Sequence, residues 1–263
     1  MIKRKIFWFV FLLIAWSFCS AQENKSDSLK KIIELAPNDT AKVDLLLALS
    51  KSYFSTDPAA AIFYAEKAQT LAEQLNYQIG VGYALKNMGL VHMIQSNYKE
   101  AFFFWQQSLK AFENINFKKG EANLLQNLGN IYLDQGQEEK ALEHYLKALK
   151  LGEEIGDSLR IAEVTSNIGS IYGLKKITYD KAIEFYTKSL EINKRLGNSA
   201  AVGTTSSNLG EIYFLRNDDS TALKWFEESL KAYNGSEDTP YPLSYIGRVY
   251  LKRKEFDKAI MYQ

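Results

Sequence analysis

The sequence predicts an all-α fold, a solenoid of about six antiparallel helix pairs. Three observations carry this expectation. An apolar-Gly-x-x-aromatic segment recurs, with His92 at the aromatic place in one copy: "KNMGLVH" from residue 86, "QNLGNIY" from 126, "SNIGSIY" from 166, "SNLGEIY" from 207 and "SYIGRVY" from 244. Its glycines, Gly89, Gly129, Gly169, Gly210 and Gly247, are spaced by 40, 40, 41 and 37 residues. About twelve residues after each comes an alanine (Ala101, Ala141, Ala182, Ala222, Ala259); four further on in four copies is Trp105, Tyr145, Tyr186 or Phe226. A fixed period of this length marks a repeat architecture.

The elements follow in chain order. "MIKRK" is a basic opening, Ile6 to Phe18 is an apolar run of 13 residues, and in the "CSAQ" that follows Cys19 and Ala21 are small. That pattern reads as a signal peptide over 1–21, cleaved before Gln22. The run is short of the roughly 20 residues a membrane-spanning helix needs, so an uncleaved anchor is the lesser alternative. Cleavage would remove Lys3, Arg4, Lys5 and the only cysteine, taking the formal charge from +1 to −2. Residues 22–40 form a capping helix with Leu29, Ile32, Ile33 and Leu35 on one side. The repeats then run near 41–80, 81–120, 121–160, 161–200, 201–238 and 239–263. The first is a weaker copy with Ser50 at the glycine place, Tyr53 at the aromatic and Ala61 at the alanine.

Within a repeat the physics is that of a helical hairpin. Leu124, Leu128, Ile131 and Tyr132 recur at helical spacing, "DQGQ" interrupts, and a second helix runs from about Glu138 to Glu154. Gly156 suits its C-terminus. Glycine inside a helix costs about 1 kcal/mol against alanine, so five in register imply close helix approach, expected against the small alanines. One hairpin cannot bury its apolar face alone, so hairpins must stack. The fourth repeat carries one extra residue in "GLKKITYD". Thr239 before Pro240 reads as an N-cap with proline at the first helical position.

These residues resemble the tetratricopeptide repeat in a long variant of about 40 residues, over roughly 41–263. The resemblance implies a right-handed superhelix and a scaffold for binding proteins or peptides. It is not specific for one partner. The last repeat is incomplete at "KEFDKAIMYQ", so the chain is expected to be part of a longer protein. An exported array of this kind looks like the N-terminal sensory region of bacterial signalling proteins. In those, a membrane-bound histidine kinase, nucleotide cyclase or transcription-regulator output follows.

Composition and motifs exclude more than they assign. A formal charge of +1 offers no field for nucleic acid. Without a cysteine the mature chain has no disulfide or thiol chemistry. No zinc, phosphate-loop or nucleophile-elbow spacing occurs, so no catalytic residue, metal or cofactor is expected. His92 stands at an aromatic place and reads as a packed helix residue; His144 lies on a second helix beside Glu143, and neither reads as a metal or catalytic residue. "AFFFW" at 101–105 reads as core, with Phe102 and Phe103 outward, rather than as an aromatic cage.

The candidate site is a stripe on the first helices. Asn123, Asn127, Asn130 and Asp134 follow spacings of 4, 3 and 4, which places them on one face. Stacking aligns Asn87, Asn127, Asn167 and Asn208 as a ladder. An amide side chain offers one acceptor and two donors, matching the backbone of an extended peptide whatever its sequence. The alternative is that these asparagines bond to a neighbouring repeat or face water. The function expected is therefore an exported interaction module holding a peptide or protein partner. It would sit on the periplasmic or other extracytoplasmic side of a bacterial envelope. The mature part would not insert in a membrane. The alternative is the sensor region of a membrane-bound signalling protein.

Overall fold

The computed structural model describes residues 26–235 and 238–262, and the expected signal peptide lies outside them. Among the described residues the regular structure is helical. After α1 (26–35) come α2 (Thr40–Ser52), α3 (Pro58–Gln74), α4 (Gln78–Ile94), α5 (Tyr98–Glu113) and α6 (Lys118–Asp134). Then follow α7 (Glu138–Ile155), α8 (Ser158–Tyr172), α9 (Tyr179–Leu196), α10 (Ser199–Leu215), α11 (Asp219–Tyr233), α12 (Pro240–Lys252) and α13 (Phe256–Met261). Each even-numbered helix is the first of its repeat. The chain divides into two compact units, one through Leu124 and one from Leu125. In the first, α2 packs on α3, α3 on α4 and α4 on α5; in the second, α7 to α13 pack each on the next.

The hairpins are set by their turns. Ser96, Gly136, Asn217 and Lys254 occupy the same place after a first helix, and all have left-handed backbone with φ of 60°, 70°, 63° and 62°. The next N–H then reaches back: Asn97 to the His92 carbonyl at 2.8 Å, Gln137 to Tyr132 at 2.8 Å, Asp218 to Tyr213 at 2.9 Å and Glu255 to Tyr250 at 2.9 Å. This satisfies carbonyls a helix end leaves open. Asn76, Asn116, Gly156 and Gly197 do the same after second helices. The exceptions are the first repeat, where Tyr53 after α2 keeps a right-handed backbone, and the fourth, whose extra residue becomes a 3-10 turn over Lys176–Thr178. There the Thr178 hydroxyl donates to the Tyr172 carbonyl at 2.6 Å.

The repeat glycines do have a close neighbour, but it is not the alanine. A Cβ at Gly129 would stand 2.5 Å from the Tyr145 ring, at Gly169 2.8 Å from Tyr186, and at Gly210 2.7 Å from Phe226; at Gly89 it would meet Trp105. The aromatic four residues beyond the alanine therefore lies across the glycine. The ring needs the room because it is large and almost fully buried. The first repeat shows the swap: Ser50 replaces glycine, Ala65 replaces the ring, and the Ser50 hydroxyl donates to the Ala61 carbonyl at 2.8 Å. A second close contact lies two turns earlier, where Phe112 covers Gly82 and Tyr233 covers Gly203. Between them, Ser108, Ser189 and Ser229 donate to the carbonyls of Gly82, Ala162 and Gly203 at 2.6, 2.8 and 2.8 Å. These serines stitch second helices to first helices inside the core.

Two expectations need correction. The apolar side of α1 is narrower than its sequence suggests: Ile33 is buried and Leu29 packs beside it, but Ile32 and Leu35 are exposed. A helix this short covers α2 with one i, i+4 row only. Thr239 does precede Pro240 at the start of α12, but its side chain makes no cap bond and its hydroxyl is buried without a partner. Its backbone is helical rather than extended, which aims the hydroxyl away from the N–H groups it would cap.

Candidate functional site

The stripe lies where solvent reaches it. On α6, Asn123, Asn127 and Asn130 are half-buried and Asp134 is exposed, whereas Leu124, Leu128 and Ile131 are buried. Asn87 on α4, Asn167 on α8 and Asn208 on α10 are likewise half-buried. Buried apolar residues lock each helix face inward, so helical spacing leaves the stripe outward.

Several stripe residues are already tied within their unit. In the first unit, Asn87 Nδ2 donates to the Leu47 carbonyl at 3.2 Å and to Ser50 Oγ at 3.4 Å. In the second, Asn167 Nδ2 donates to Asn130 Oδ1 at 3.3 Å. The same Oδ1 accepts from the Tyr145 hydroxyl at 2.7 Å. Thus the ring lying across Gly129 also fixes the next residue of the stripe. Tyr186 repeats the device, donating to Ser170 Oγ at 3.1 Å. An amide that gives one N–H to a neighbour keeps its carbonyl oxygen for other use. The Asn123 Oδ1 is buried without a hydrogen-bond partner.

Two polar clusters on these helices were not foreseen. Arg160 on α8 bonds to Gln126 Oε1 and to Glu163 Oε2, the latter at 2.9 Å, while Gln126 Nε2 donates to the same Glu163 oxygen at 3.3 Å. Farther along, Glu211 on α10 accepts from the Tyr241 hydroxyl at 2.8 Å and from Tyr245 at 2.7 Å, joining α10 to α12. Counting from Gly247 places Tyr241 and Tyr245 in the register of Thr204 and Asn208, so the repeat spacing did contain the signal. Burial raises the Tyr186 hydroxyl to about 12 despite its bond to Ser170. Burial and, less strongly, Asp134 also raise Tyr145. For Tyr241 and Tyr245, burial acts first, followed by the bond to Glu211. All four hydroxyls are therefore neutral donors at physiological pH.

Both histidines pack against aromatic rings, as expected of His92. His92 stacks on Phe104 with ring centroids 5.4 Å apart, and Tyr132 meets His144 at 4.9 Å. Tyr172 with Phe185 continues the series at 5.7 Å, so each histidine fills one half of a recurring aromatic pair. In "AFFFW", Ala101 and Trp105 are buried, Phe102 and Phe104 half-buried and Phe103 exposed. Among the described residues no group of three or more His, Cys, Asp or Glu could hold a metal ion. None of their helices is long and apolar enough to cross a membrane. What the stripe offers is neutral hydrogen bonding, with charge at a few places.

The family model described as Tetratricopeptide repeat matches residues 81–154 and 160–235. No curated protein matches the chain. Among solved structures, BtubC (BKLC) from P. vanneervenii is 22% identical, with 79% of this chain and 89% of that one covered and a TM-score of 0.67. A Signal Transduction ATPase with Numerous Domains (STAND) protein with a tetratricopeptide repeat sensor, from Pyrococcus horikoshii, is 19% identical at a TM-score of 0.76; 92% of this chain covers 38% of that one. Aspartyl phosphate phosphatase F from Bacillus subtilis is 21% identical at 0.66, with 89% of this chain and 61% of that one covered. At these identities the likeness is one of fold.

Proposed function

The chain belongs to the tetratricopeptide repeat family, a non-catalytic scaffold for protein–protein interaction, and from that premise we propose that it is an exported module holding an extended peptide or a protein segment along its first helices. The observation that carries the reading is the recurrence of half-buried asparagines at one register. Asn127, Asn167 and Asn208 recur in the second unit, Asn87 stands at that register in the first, and Asn123, Asn130 and Asp134 flank Asn127. Apart from the buried Asn123 Oδ1, these half-buried or exposed side chains stand on helices whose apolar faces pack inward. Bonds such as Asn167 to Asn130 hold the amides in place. Such a site reads backbone more than sequence.

The experiment is capture of a partner from a periplasmic extract, then titration against the parent and the Asn127→Ala, Asn167→Ala double variant. Binding is expected to weaken by roughly 1–3 kcal/mol in total, since each neutral hydrogen bond is worth about 0.5–1.5 kcal/mol net. Stability should change by less than about 1 kcal/mol, because the lost bond to Asn130 is partly offset by alanine's higher helix propensity. A double variant that melts well below the parent yet binds normally would assign these residues to the scaffold. Export is checked by intact mass of the secreted protein, expected to begin at Gln22; retention of Met1 in that fraction defeats the cleavage.

A second reading makes the array the extracytoplasmic sensor of a membrane-bound signalling protein. It is favoured by the P. horikoshii neighbour, where such an array is the sensor of a longer chain. Sequencing the gene beyond codon 263 decides it: a membrane segment followed by a kinase, cyclase or regulator domain supports the sensor, and an early stop codon removes it.

A further inference from the structure

We propose that the cavity between α9, α10 and α11 binds a free α-amino acid with an aliphatic side chain, at a site apart from the stripe and independent of the partner-binding reading. Its volume is about 280 Å³, at the small end of ligand pockets, which start near roughly 300 Å³. The repeat explains why the cavity is there. Eleven residues after the alanines Ala101 and Ala222 come Phe112 and Tyr233, and both rings are buried. Phe112 fills the space over Gly82 and reaches Gly120 at the start of the next first helix; Tyr233 fills the space over Gly203. In the fourth repeat the same count from Ala182 gives Asn193. An amide is shorter than a phenyl ring, so room is left towards Val202 on α10 and Ala232 on α11.

Asn193 is 3% exposed, and its partners fix which way the amide points. Its Nδ2 donates to the Ser189 carbonyl at 3.1 Å and to Ser189 Oγ at 3.2 Å, and a carbonyl can only accept. Oδ1 is therefore the outward atom. Among the described residues it takes no hydrogen bond, yet it is not sealed as Ser206 Oγ is, and Asn193 lines the cavity. A buried amide with an open acceptor calls for a ligand that brings N–H groups. Charge of both signs stands around it. Lys194 Nζ pairs with Glu228 Oε1 at 2.7 Å, tying α9 to α11 and leaving Glu228 Oε2 without a partner among the described residues. Lys231 is exposed and makes no ion pair among them. A lone anion would meet the Asn193 acceptor and a carboxylate, and a lone cation would meet two ammonium groups. A zwitterion satisfies both: its ammonium donates to Asn193 Oδ1 and Glu228 Oε2, and its carboxylate faces Lys231. Its side chain then lies on Val202 and Ala232.

The test uses the full chain and isothermal titration with valine, leucine and isoleucine, each also as its N-acetyl derivative and as its amide. At least one of the three amino acids should bind saturably, and both of its derivatives should bind about tenfold more weakly or worse. N-acetylation removes the ammonium that Asn193 and Glu228 receive, and amidation removes the carboxylate that Lys231 receives. Lys231→Ala should therefore lose about tenfold for the amino acid while binding the amide no worse than the parent does. Asn193→Leu should abolish binding, because it removes the acceptor and fills the cavity. Lys254→Ala, outside the cavity, should match the parent. Circular dichroism should show Asn193→Leu as helical as the parent; if it fails to fold, Lys231→Ala carries the comparison. No saturable heat up to about 10 mM, or undiminished binding by the folded variants, overturns the proposal. So does an N-acetyl derivative that binds as well as its amino acid, which would mark a site for anions instead. None of these titrations involves the captured partner, so either reading can fail without the other.

Discussion

At Gly129 the helix gives up about 1 kcal/mol of propensity, and the return is the buried Tyr145 ring with its hydroxyl on Asn130. Gly129→Ala would put a Cβ 2.5 Å from that ring, and neither helix can yield without disturbing its other contacts. The overpacking cost is typically 1–3 kcal/mol and outweighs the propensity gained. Urea unfolding should show the variant about 1–2 kcal/mol less stable than the parent. The paired change Gly129→Ala with Tyr145→Ala should cost less than the two single costs added, since it rebuilds the small–small combination of the first repeat, Ser50 with Ala65. Equal or greater loss in the pair would mean the ring does not dictate the glycine. The need for close approach was legible in the sequence because five glycines kept register. Its cause was not, because alanine and aromatic keep register equally well and only their directions separate them.

At the scale of the element, the turns explain why residues as different as serine, glycine, asparagine and lysine share one position. Each supplies a left-handed residue that lets the following N–H return to the helix. For serine that conformation costs about 1–2 kcal/mol, whereas glycine takes it freely. Ser96→Gly is therefore expected to stabilise the first unit by up to about 1 kcal/mol after the added chain entropy, and the reciprocal Gly136→Ser to destabilise the second by a similar amount. Thermal unfolding of the two variants checks both signs together; the same sign for both would break the turn argument. The helices themselves were legible from apolar spacing, and so was the irregular turn near Lys176. The faces of α1 were not, because Leu29, Ile32, Ile33 and Leu35 crowd a short helix and tertiary packing selects only one row. The register of Tyr241 and Tyr245 was legible by counting from Gly247, but their bonds to Glu211 were not, because register gives a side chain's place on a helix and not its partner.

At the scale of the whole molecule, stability rests on the same buried hydroxyls that order the stripe, and this gives the chain an alkaline limit. Tyr145 and Tyr186 are held protonated mainly by burial, Tyr186 up to about 12 and Tyr145 likewise raised. In the unfolded chain a tyrosine ionises near 10. Below that pH both states carry the proton and the stabilisation is fully present. Above it the unfolded state loses protons that the folded state keeps, so stability falls until the folded hydroxyls ionise too. Each such tyrosine contributes a slope of about 1.4 kcal/mol per pH unit, and the two together up to about 2.7 between roughly pH 10 and 12. Denaturant midpoints measured from pH 8 to 11 should therefore drop steeply in the parent. The Tyr145→Phe, Tyr186→Phe variant should start lower at pH 8, having lost two hydrogen bonds at about 0.5–1.5 kcal/mol each, and then decline more gently. Parallel curves for the two proteins would place the alkaline sensitivity elsewhere and separate the order of the stripe from the protonation of these rings.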